Sequence, residues 1–272
     1  MKKPVEFTIN GEPQKVLADS SVMPRILIFD IETSPMLAWC WGFYKQFINP
    51  DAVVTPVKIL CYCAKWYGED TVLFQRRAKD DDKTIVNGLR KLFDQADIIV
   101  AHNGIAFDEK KVTARMMVHD MTPPSPFKSV DTLKIARKAM DAGCNKLDYL
   151  ARYIGAGQKL EHEGFPLWLK CMEGDKAAWA KMEDYNIQDV LILEELYTKL
   201  RVWDKRHPNV ALYYQDDRTR CVCCGSYKFK KLPQTAKTAI SEFEAVRCKD
   251  CGKPQRTGTR LKRDAKTMRN IL

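Results

Sequence analysis

The stretch RILIFDIETSPM, residues 25–36, decides the fold because it joins an apolar strand to acidic side chains. Its apolar residues occupy both faces of the predicted strand, a pattern typical of a central strand that is covered on both sides. Side chains alternate along a strand, so Asp30 and Glu32 share one face, about 7 Å apart along the chain. Acidic groups placed in this way predict a site for a divalent cation.

Length and amino-acid composition limit the classes of protein to which this chain can belong. A chain of 272 residues is long enough for two domains at the usual size of roughly 150 residues each. The sequence lacks an apolar run of the roughly 20 residues that a membrane span needs, and it begins without the apolar core of a signal peptide. We therefore expect a cytoplasmic protein without membrane contacts, whose 10 cysteines are buried or bind metal instead of forming disulfides.

The net charge of +10 is concentrated at the C-terminus. Residues 218–272 hold 15 Lys/Arg and 4 Asp/Glu, whereas residues 1–217 hold 30 and 31. A basic segment of this kind most often neutralises phosphate groups. It predicts a nucleic-acid-binding appendage on a nearly neutral body, with a merely solubilising tail as the alternative.

The order of predicted elements indicates an α/β fold. Strand and helix patterns alternate, with strands near residues 25–32, 58–67, 71–75 and 98–101 and a strand-to-helix segment at 129–140. Helices are predicted near 82–95, 106–119 and 146–155, and two further helices between about 166 and 200. Asn10-Gly11 predicts a hairpin ahead of them. The predicted domains are an N-terminal lead-in of residues 1–23, an α/β domain of residues 24–207 and a basic C-terminal part of residues 208–272.

Two further acids lie where a metal site needs them. Asp108 falls in the first turn of a helix that follows a strand and the turn at Asn103-Gly104. Such strand ends bind ligands in α/β folds, although a favourable interaction with the helix dipole is the alternative reason for an acid there. Asp189 lies on the apolar stripe of the last helix, beside Tyr185. A carboxylate buried alone would be costly, so Asp189 needs a cation or strong donors.

Asp30, Glu32, Asp108 and Asp189 together could hold two metal ions. Carboxylate oxygens suit Mg²⁺ or Mn²⁺. A pair of such ions about 3.5–4 Å apart can activate a water molecule and stabilise the leaving oxygen of a phosphodiester. The acids therefore predict phosphodiester hydrolysis.

Three segments also resemble a known family. FDIET (29–33), HNGIAFD (102–108) and YNIQD (185–189) are similar, in this order and spacing, to the three exonuclease motifs of the DEDD superfamily. The tyrosine four residues before the last acid marks the DEDDy branch, which has an RNase H-like fold. The resemblance covers about residues 24–203 and includes VDTLKIARK and KLDYLARYIG, which look like exonucleases of phage and bacteria related to polymerase proofreading domains. It implies an RNase H-like mixed sheet flanked by helices. It also implies that the protein acts in a bacterial cell or in a phage-infected host.

The resemblance assigns roles to the acids and the tyrosine. Asp30 would bridge both metals, and Glu32 and Asp189 would complete the site of the metal that activates water. Asp108 would help to hold the second metal. Tyr185 would orient the attacking water.

The resemblance also implies substrate contacts for two residues of the second motif. Asn103 and Phe107 would lie against the terminal nucleotides of the substrate, although a core position is the alternative for Phe107. His102 is better explained as a local structural histidine than as a base. No polymerase motifs follow in this sequence, so proofreading in cis is not implied.

The cysteine-rich end predicts a zinc ribbon. CVCCG and CKDCG form two Cys-x2-Cys-Gly turns 23 residues apart, and thiolates at this spacing bind zinc tetrahedrally. The ligands of one structural Zn²⁺ would be Cys221, Cys224, Cys248 and Cys251. Cys223 would be a bystander, and the core would contain the remaining cysteines Cys40, Cys61, Cys63, Cys144 and Cys171.

The residues around these turns suggest contacts with nucleic acid. The natural partner of the surrounding basic side chains is phosphate. The aromatic residues Tyr227, Phe229 and Phe243 could stack on bases, but a small ribbon core is the favoured interpretation.

The leading hypothesis is a two-metal 3′-to-5′ exonuclease that acts on single-stranded DNA ends and releases nucleoside 5′-monophosphates. The ribbon would grip nucleic acid or dock a DNA polymerase or another replication protein. One alternative is an RNA-directed exonuclease of the same chemistry. The other is a catalytically silent nucleic-acid-binding or polymerase-accessory protein.

Overall fold

The computed structural model describes residues 23–78, 80–161 and 163–261, and the backbone of two strands nearer the N-terminus. The strands are β1 (Val5–Ile9), β2 (Glu12–Val16), β3 (Ile26–Thr33), β4 (Leu37–Ala38), β5 (Val53–Thr55), β6 (Ile59–Trp66), β7 (Val72–Arg76), β8 (Ile98–Ala101), β9 (Lys128–Asp131), β10 (Phe229–Lys231), β11 (Ala236–Lys237), β12 (Glu242–Cys248) and β13 (Pro254–Arg260). The helices are α1 (Lys83–Gln95), α2 (Asp108–Val118), α3 (Thr132–Ala139), α4 (Leu147–Tyr153), α5 (Phe165–Glu173) and α6 (Lys176–Leu200), with short 3-10 turns at Pro50–Ala52 and Val210–Tyr213.

The chain divides into two compact units. One contains Arg25–Asp204, and the other combines Met1–Pro24 with Lys205–Leu272. Whether residues 1–23, 24–207 and 208–272 fold as separate domains stays a prediction. Within the part of the chain that the structure describes, every helix is too short or too polar to cross a lipid bilayer.

A mixed sheet of five strands forms the centre of the Arg25–Asp204 unit, in the order β7-β6-β3-β8-β9. Strand β3 pairs antiparallel with β6 and parallel with β8, so it lies in the middle of the sheet. Leu27, Ile28 and Phe29 have no exposed surface, as the apolar pattern of this strand predicts. The predicted α/β fold, a mixed sheet flanked by helices, is confirmed.

Alternation along β3 directs its side chains to two helical layers. Leu27, Phe29 and Ile31 pack with residues of α1 and α2. The opposite face of the sheet packs against α5 and α6. There Asp30 accepts a hydrogen bond of 2.7 Å from the Asn186 amide of α6. The acidic residues of β3 therefore face α6.

The start of α6 is encoded in the turn before it. Gly174 follows α5 with a φ of 88°, a left-handed conformation that glycine adopts without steric cost. Asp175 then caps α6, because its carboxylate accepts hydrogen bonds from the backbone N–H groups of Ala177 and Ala178 at 2.8 and 3.0 Å. This turn sets the position of the helix that carries the third acidic motif.

The second unit contains two small antiparallel sheets. Strand β12 pairs with β10, β11 and β13. Strands β1 and β2 pair with Ile9 opposite Glu12, as the predicted hairpin requires. Its turn residues, Asn10 and Gly11, lie outside the described residues.

Two burial predictions are wrong. Cys40 is exposed, because it lies in an aromatic segment between β4 and β5 whose neighbouring side chains, Trp39 and Trp41, are also largely in solvent. Tyr227 is also exposed, since it precedes β10 and its ring lies 5.5 Å from the Arg218 guanidinium instead of entering a ribbon core. Among the other predicted core cysteines, the buried ones are Cys61, Cys63 and Cys171, and Cys144 is half-buried.

A buried aspartate ties α1 to its neighbours. The Asp82 carboxylate, which has no exposed surface, accepts hydrogen bonds from the Ile59 backbone N–H at 2.9 Å and from the Arg115 guanidinium at 2.8 Å. It also hydrogen-bonds the His119 ring at 2.7 Å. Burial acts to raise the pKa of Asp82, but the hydrogen bonds from Arg115, His119 and Ile59 outweigh it and hold the pKa below its ordinary value.

We predict that Asp82→Ala lowers the free energy of unfolding by about 3 kcal/mol at neutral pH, because Arg115 would remain buried without its partner. Since the folded-state pKa is lowered, this contribution is present above the ordinary pKa of about 3.9 and disappears as the pH falls through the folded-state value. Urea denaturation followed by tryptophan fluorescence measures it, because all 6 tryptophans lie within Arg25–Asp204.

The matched control is Asp80→Ala. Asp80 is exposed and lies 3.6 Å from Arg77, and a surface ion pair of this kind contributes less than about 1 kcal/mol. Equal decreases in the free energy of unfolding for the two variants would contradict the role given to Asp82.

Candidate active site

Three carboxylates from β3 and α6 meet at one face of the sheet. Asp30, Glu32 and Asp189 each offer an oxygen, and these oxygens lie within 4.8 Å of one another. Asp108, the fourth predicted acid, is outside this group and buried at the start of α2, where the Ile31 backbone hydrogen-bonds it. Its negative charge still acts on Asp30. The structure thus places all four acids in one electrostatic neighbourhood, with three of them in direct proximity.

Burial raises the pKa of each acid on β3 and α2, and the charges of the other acids in the cluster add to this rise for Asp30 and Glu32. Desolvation, followed by the charges of Asp108, Glu32 and Asp189, raises the pKa of Asp30 well above its ordinary value. Desolvation and the charge of Asp189 raise the pKa of Glu32 to about 7. Desolvation also raises the pKa of Asp108 to about 7, against opposing backbone hydrogen bonds. A divalent cation fits this donor set, because it would relieve the repulsion and replace the bound protons.

Two neighbouring side chains orient the carboxylates of β3. The Asn186 amide donates to Asp30 at 2.7 Å, and the Trp168 indole N–H donates to Glu32 at 3.1 Å. The sequence analysis missed both residues. Asn186 could have been found, because it lies three residues before Asp189 on α6 and so faces the same side. Trp168 had no such signal, since its contact joins residues 136 positions apart.

Lys159 is the cation of the site. Its ammonium lies 2.6 Å from the Asp189 carboxylate, donates a hydrogen bond to the Tyr185 hydroxyl and stands 4.4 Å from the centre of the Tyr185 ring. Its charge opposes the rise in the pKa of Glu32. The segment between α4 and α5 that carries Lys159 has no periodic pattern, so the sequence offered no signal for it.

Tyr185 lies against the acid cluster. Its side chain is buried and packs edge-to-face on Trp168, with ring centres 6.2 Å apart. Burial raises its pKa, and the negative charges of Asp189, Glu32 and Asp30 raise it further. The phenol therefore stays neutral at physiological pH and can donate a hydrogen bond.

The second motif forms a tight turn before α2. Asn103 has a left-handed φ of 66°, and its backbone N–H donates to the Asp131 carboxylate at 3.0 Å. A side chain at Gly104 would place its Cβ 2.4 Å from that of Ala101, so only glycine fits there. Phe107 is 40% exposed at the end of this turn, so its alternative assignment to the core is wrong.

His102 has a structural role, as predicted. Its two ring nitrogens hydrogen-bond the Thr132 hydroxyl and the Asn145 backbone carbonyl, each at 2.9 Å. Burial lowers its pKa. With both nitrogens engaged, the ring holds the turn to α3 and to the segment before α4.

The second unit contains a group of four cysteines that could hold a metal. Their sulfurs lie within 4.8 Å of one another, and the Cys221–Cys251 and Cys224–Cys248 pairs are each 3.6 Å apart. A tetrahedral zinc site with Zn–S bonds of about 2.3 Å has sulfurs about 3.8 Å apart, so the spacing fits zinc. Cys223 is outside this group, as predicted, and its backbone N–H donates to the Cys221 sulfur at 3.4 Å.

Hydrogen bonds prepare Cys221 to be a thiolate. The Cys224 thiol, the backbone N–H groups of Cys223 and Cys224 and the Gln255 amide lower its pKa to about 4. The turn is completed by Gly225, which has a φ of 75° and lies so close to the Tyr214 hydroxyl that a Cβ would be 2.2 Å from it. The second turn has a glycine of similar conformation, Gly252, with a φ of 79°.

A comparison with models of protein families identifies the superfamily of this chain. A model of the RNase_H superfamily matches residues 57–201. The chain belongs to the RNase H superfamily. The matched region contains Asp108, Tyr185 and Asp189 and begins after β3, which carries the first two acids. Membership supports a nuclease activity in general, and with it the binding of nucleic acid and of divalent metal ions.

The fold also resembles part of a solved polymerase. The family B DNA polymerase from the hyperthermophilic archaeon Pyrobaculum calidifontis superposes with a TM-score of 0.51 at 16% sequence identity. The superposition covers 66% of this chain and 25% of the polymerase chain. At this identity the similarity concerns the fold. The search of curated proteins found no match to this chain.

We predict that Glu32→Gln stabilises the metal-free protein. The folded-state pKa of Glu32, about 7, is higher than its ordinary value, so ionisation disfavours the folded state as the pH rises. The variant should exceed the native free energy of unfolding by about 1–3 kcal/mol at about pH 8. The difference should fall to roughly a few tenths of a kcal/mol at about pH 4, where Glu32 is protonated in the folded state and largely protonated in the unfolded state. Urea denaturation in the presence of a chelator measures the difference.

Added Mn²⁺ provides the control. It should raise the melting temperature of the native chain more than that of Glu32→Gln, because the amide is a weaker ligand. An identical shift in both proteins would argue against Glu32 as a metal ligand.

Proposed function

We propose that the chain is a metal-dependent 3′-to-5′ exonuclease of the DEDDy type that hydrolyses single-stranded DNA and releases nucleoside 5′-monophosphates. The observation that carries the proposal is the convergence of Asp30, Glu32 and Asp189 within 4.8 Å in a fold of the RNase H superfamily. The 3′-to-5′ direction and the DNA substrate rest on the resemblance of the three motifs.

The four acids are the proposed ligands of two Mg²⁺ or Mn²⁺ ions, with Asp108 completing the group formed by Asp30, Glu32 and Asp189. When bound, such ions supply an activated water and stabilise the leaving oxygen. Hydrolysis joins the water oxygen to phosphorus and breaks the bond between phosphorus and the 3′ oxygen of the preceding nucleotide. The products are a nucleoside 5′-monophosphate and a strand with a free 3′ hydroxyl.

The remaining side chains have positioning roles. The neutral Tyr185 hydroxyl orients the attacking water, and the Lys159 ammonium fixes that hydroxyl while adding positive charge beside the reacting phosphate. Asn103 and the exposed ring of Phe107 contact the terminal nucleotides. Asn186 and Trp168 hold the carboxylates of β3 in place.

The second unit is a proposed zinc ribbon that binds nucleic acid. Cys221, Cys224, Cys248 and Cys251 hold one Zn²⁺, and the basic side chains around them contact phosphate groups. These basic residues are Lys228, Lys230, Lys231, Arg247, Lys249 and Arg256. Two of them also form surface ion pairs, Lys228 with Asp250 and Lys231 with Glu244, which salt or phosphate can replace at little cost.

Asp189→Asn tests the catalytic assignment. We expect it to lower nucleotide release from a 5′-labelled DNA oligomer with Mg²⁺ or Mn²⁺ by at least about 1000-fold, because it removes a ligand charge while leaving the fold intact. Binding of the same oligomer should stay nearly unchanged. The products separate on a gel, on which the native enzyme should shorten the strand from its 3′ end.

The matched control is Asp184→Asn, an exposed aspartate on the same helix, which should behave as the native chain. A parallel RNA oligomer shows which sugar the enzyme prefers. If the native chain binds both oligomers and cuts neither, the protein is a silent nucleic-acid-binding protein and the exonuclease proposal fails.

Zinc content tests the second site. The purified chain should contain one zinc ion by elemental analysis, and Cys223→Ser should retain it, because Cys223 lies outside the four-cysteine group. Cys224→Ser should lose zinc, since three thiolates and a hydroxyl bind it more weakly. Equal zinc in the two variants would contradict the ligand assignment.

A further inference from the structure

The Arg25–Asp204 unit displays an aromatic segment, residues 39–47, between β4 and β5. Five of its side chains are almost wholly in solvent: Trp39 is 78% exposed, Trp41 104%, Phe43 97%, Tyr44 87% and Phe47 94%. Aromatic side chains so exposed in one short segment mark an interaction site, because the protein gains nothing from leaving them in water.

The charges around the segment favour a polyanion as its partner. The sequence contains no acid between Glu32 and Asp51, and the segment itself carries one charge, Lys45. This run follows directly after the strand that carries Asp30 and Glu32, so acids are absent where the chain leaves the acid cluster. Flat aromatic rings together with positive charge suit the bases and phosphates of a single strand.

A groove lies at the end of β3, the strand that carries Asp30 and Glu32. The groove has a volume of about 240 Å³ and lies between the chain around the β4–β5 pair and helix α2. Thr33, Pro56 and Val57 line one side, and Lys111 and Val118 line the other. The Lys111 ammonium lies 5.5 Å from the centre of the Phe107 ring, next to Asp108. Trp39 lies only seven positions after Glu32, so the aromatic segment begins within about 25 Å of the acid cluster.

We propose that the aromatic segment is a stacking platform for a single-stranded nucleic acid, a few nucleotides away from the end that is cleaved. This inference rests on the proposed function, because it assumes that the acid cluster holds the strand end. Stacking on aromatic rings tolerates any base, so the platform would retain a strand of any sequence while successive nucleotides are removed.

Binding of a labelled DNA oligomer tests the platform. The experiment uses the full chain with Asp189→Asn to prevent cleavage and an oligomer of about 20 nucleotides, longer than the usual site of roughly 4–16. Trp41→Ala and Phe43→Ala should each raise Kd at least about 5-fold, the effect of losing one stacked base. Trp41→Phe should keep near-native affinity. The control, Trp203→Ala, removes a tryptophan of the same unit that is 71% exposed and lies outside the aromatic segment, and it should change Kd less than about 2-fold.

An oligomer of abasic nucleotides separates stacking from phosphate contacts. The parent chain should bind the base-bearing oligomer more tightly than the abasic one, and Trp41→Ala should reduce this ratio. A merely structural effect of the substitution would weaken the binding of both oligomers by the same factor. The ratio of the two affinities would then stay unchanged, and this result would overturn the proposal.

The remaining outcomes are equally decisive. If Kd for both alanine variants equals that of the parent chain, the platform is rejected. A native dimer that becomes monomeric with Trp41→Ala, at unchanged DNA affinity, would show that a second copy covers the segment and would also reject it. If the native chain releases no nucleotides but the binding results are as expected, the exonuclease proposal fails and the platform remains supported.

Discussion

The burial of negative charge between β3 and α6 is the interaction on which the rest of the structure depends. Asp30, Glu32 and Asp189 converge where the sheet is covered, so each carboxylate has lost most of its water. Hydrogen bonds to the β3 acids and the ammonium of Lys159 offset part of this cost. The remaining negative charge gives the site its affinity for cations, so the energetic cost and the chemistry have the same origin.

The fold holds these charges on rigid elements that approach from different directions. The acids of β3 lie on the central strand, which both neighbouring strands support. Gly174 and Asp175 set the start of α6, and Gly104 allows the tight turn that brings Asp108 to the sheet. The acids are thus held by regular secondary structure, which is what a preorganised electrostatic site requires.

The second unit depends on a different interaction. The residues of β10, β11, β12 and β13 are largely half-buried or exposed, so these strands contribute little apolar core. Four cysteine sulfurs gathered on two glycine-containing turns provide the common point of contact. In small units of this kind a metal ion supplies stability that the core lacks. The exposed Tyr227 fits this pattern, because a unit with little apolar core leaves some aromatic side chains in solvent.

The sequence by itself determined the main strands and helices of the α/β domain, the candidate acids and the two cysteine turns, because alternation, helical periodicity and Cys-x2-Cys spacing are local properties of the chain. Only the tertiary structure decided which side chains surround the acids. Trp168 reaches Glu32 across 136 positions, and Lys159 comes from a segment without periodicity. Local sequence patterns also do not determine solvent exposure, because the exposure of Cys40 or Phe107 depends on which side chains pack over it. Such contacts arise from chain packing in three dimensions, which sequence separation does not encode.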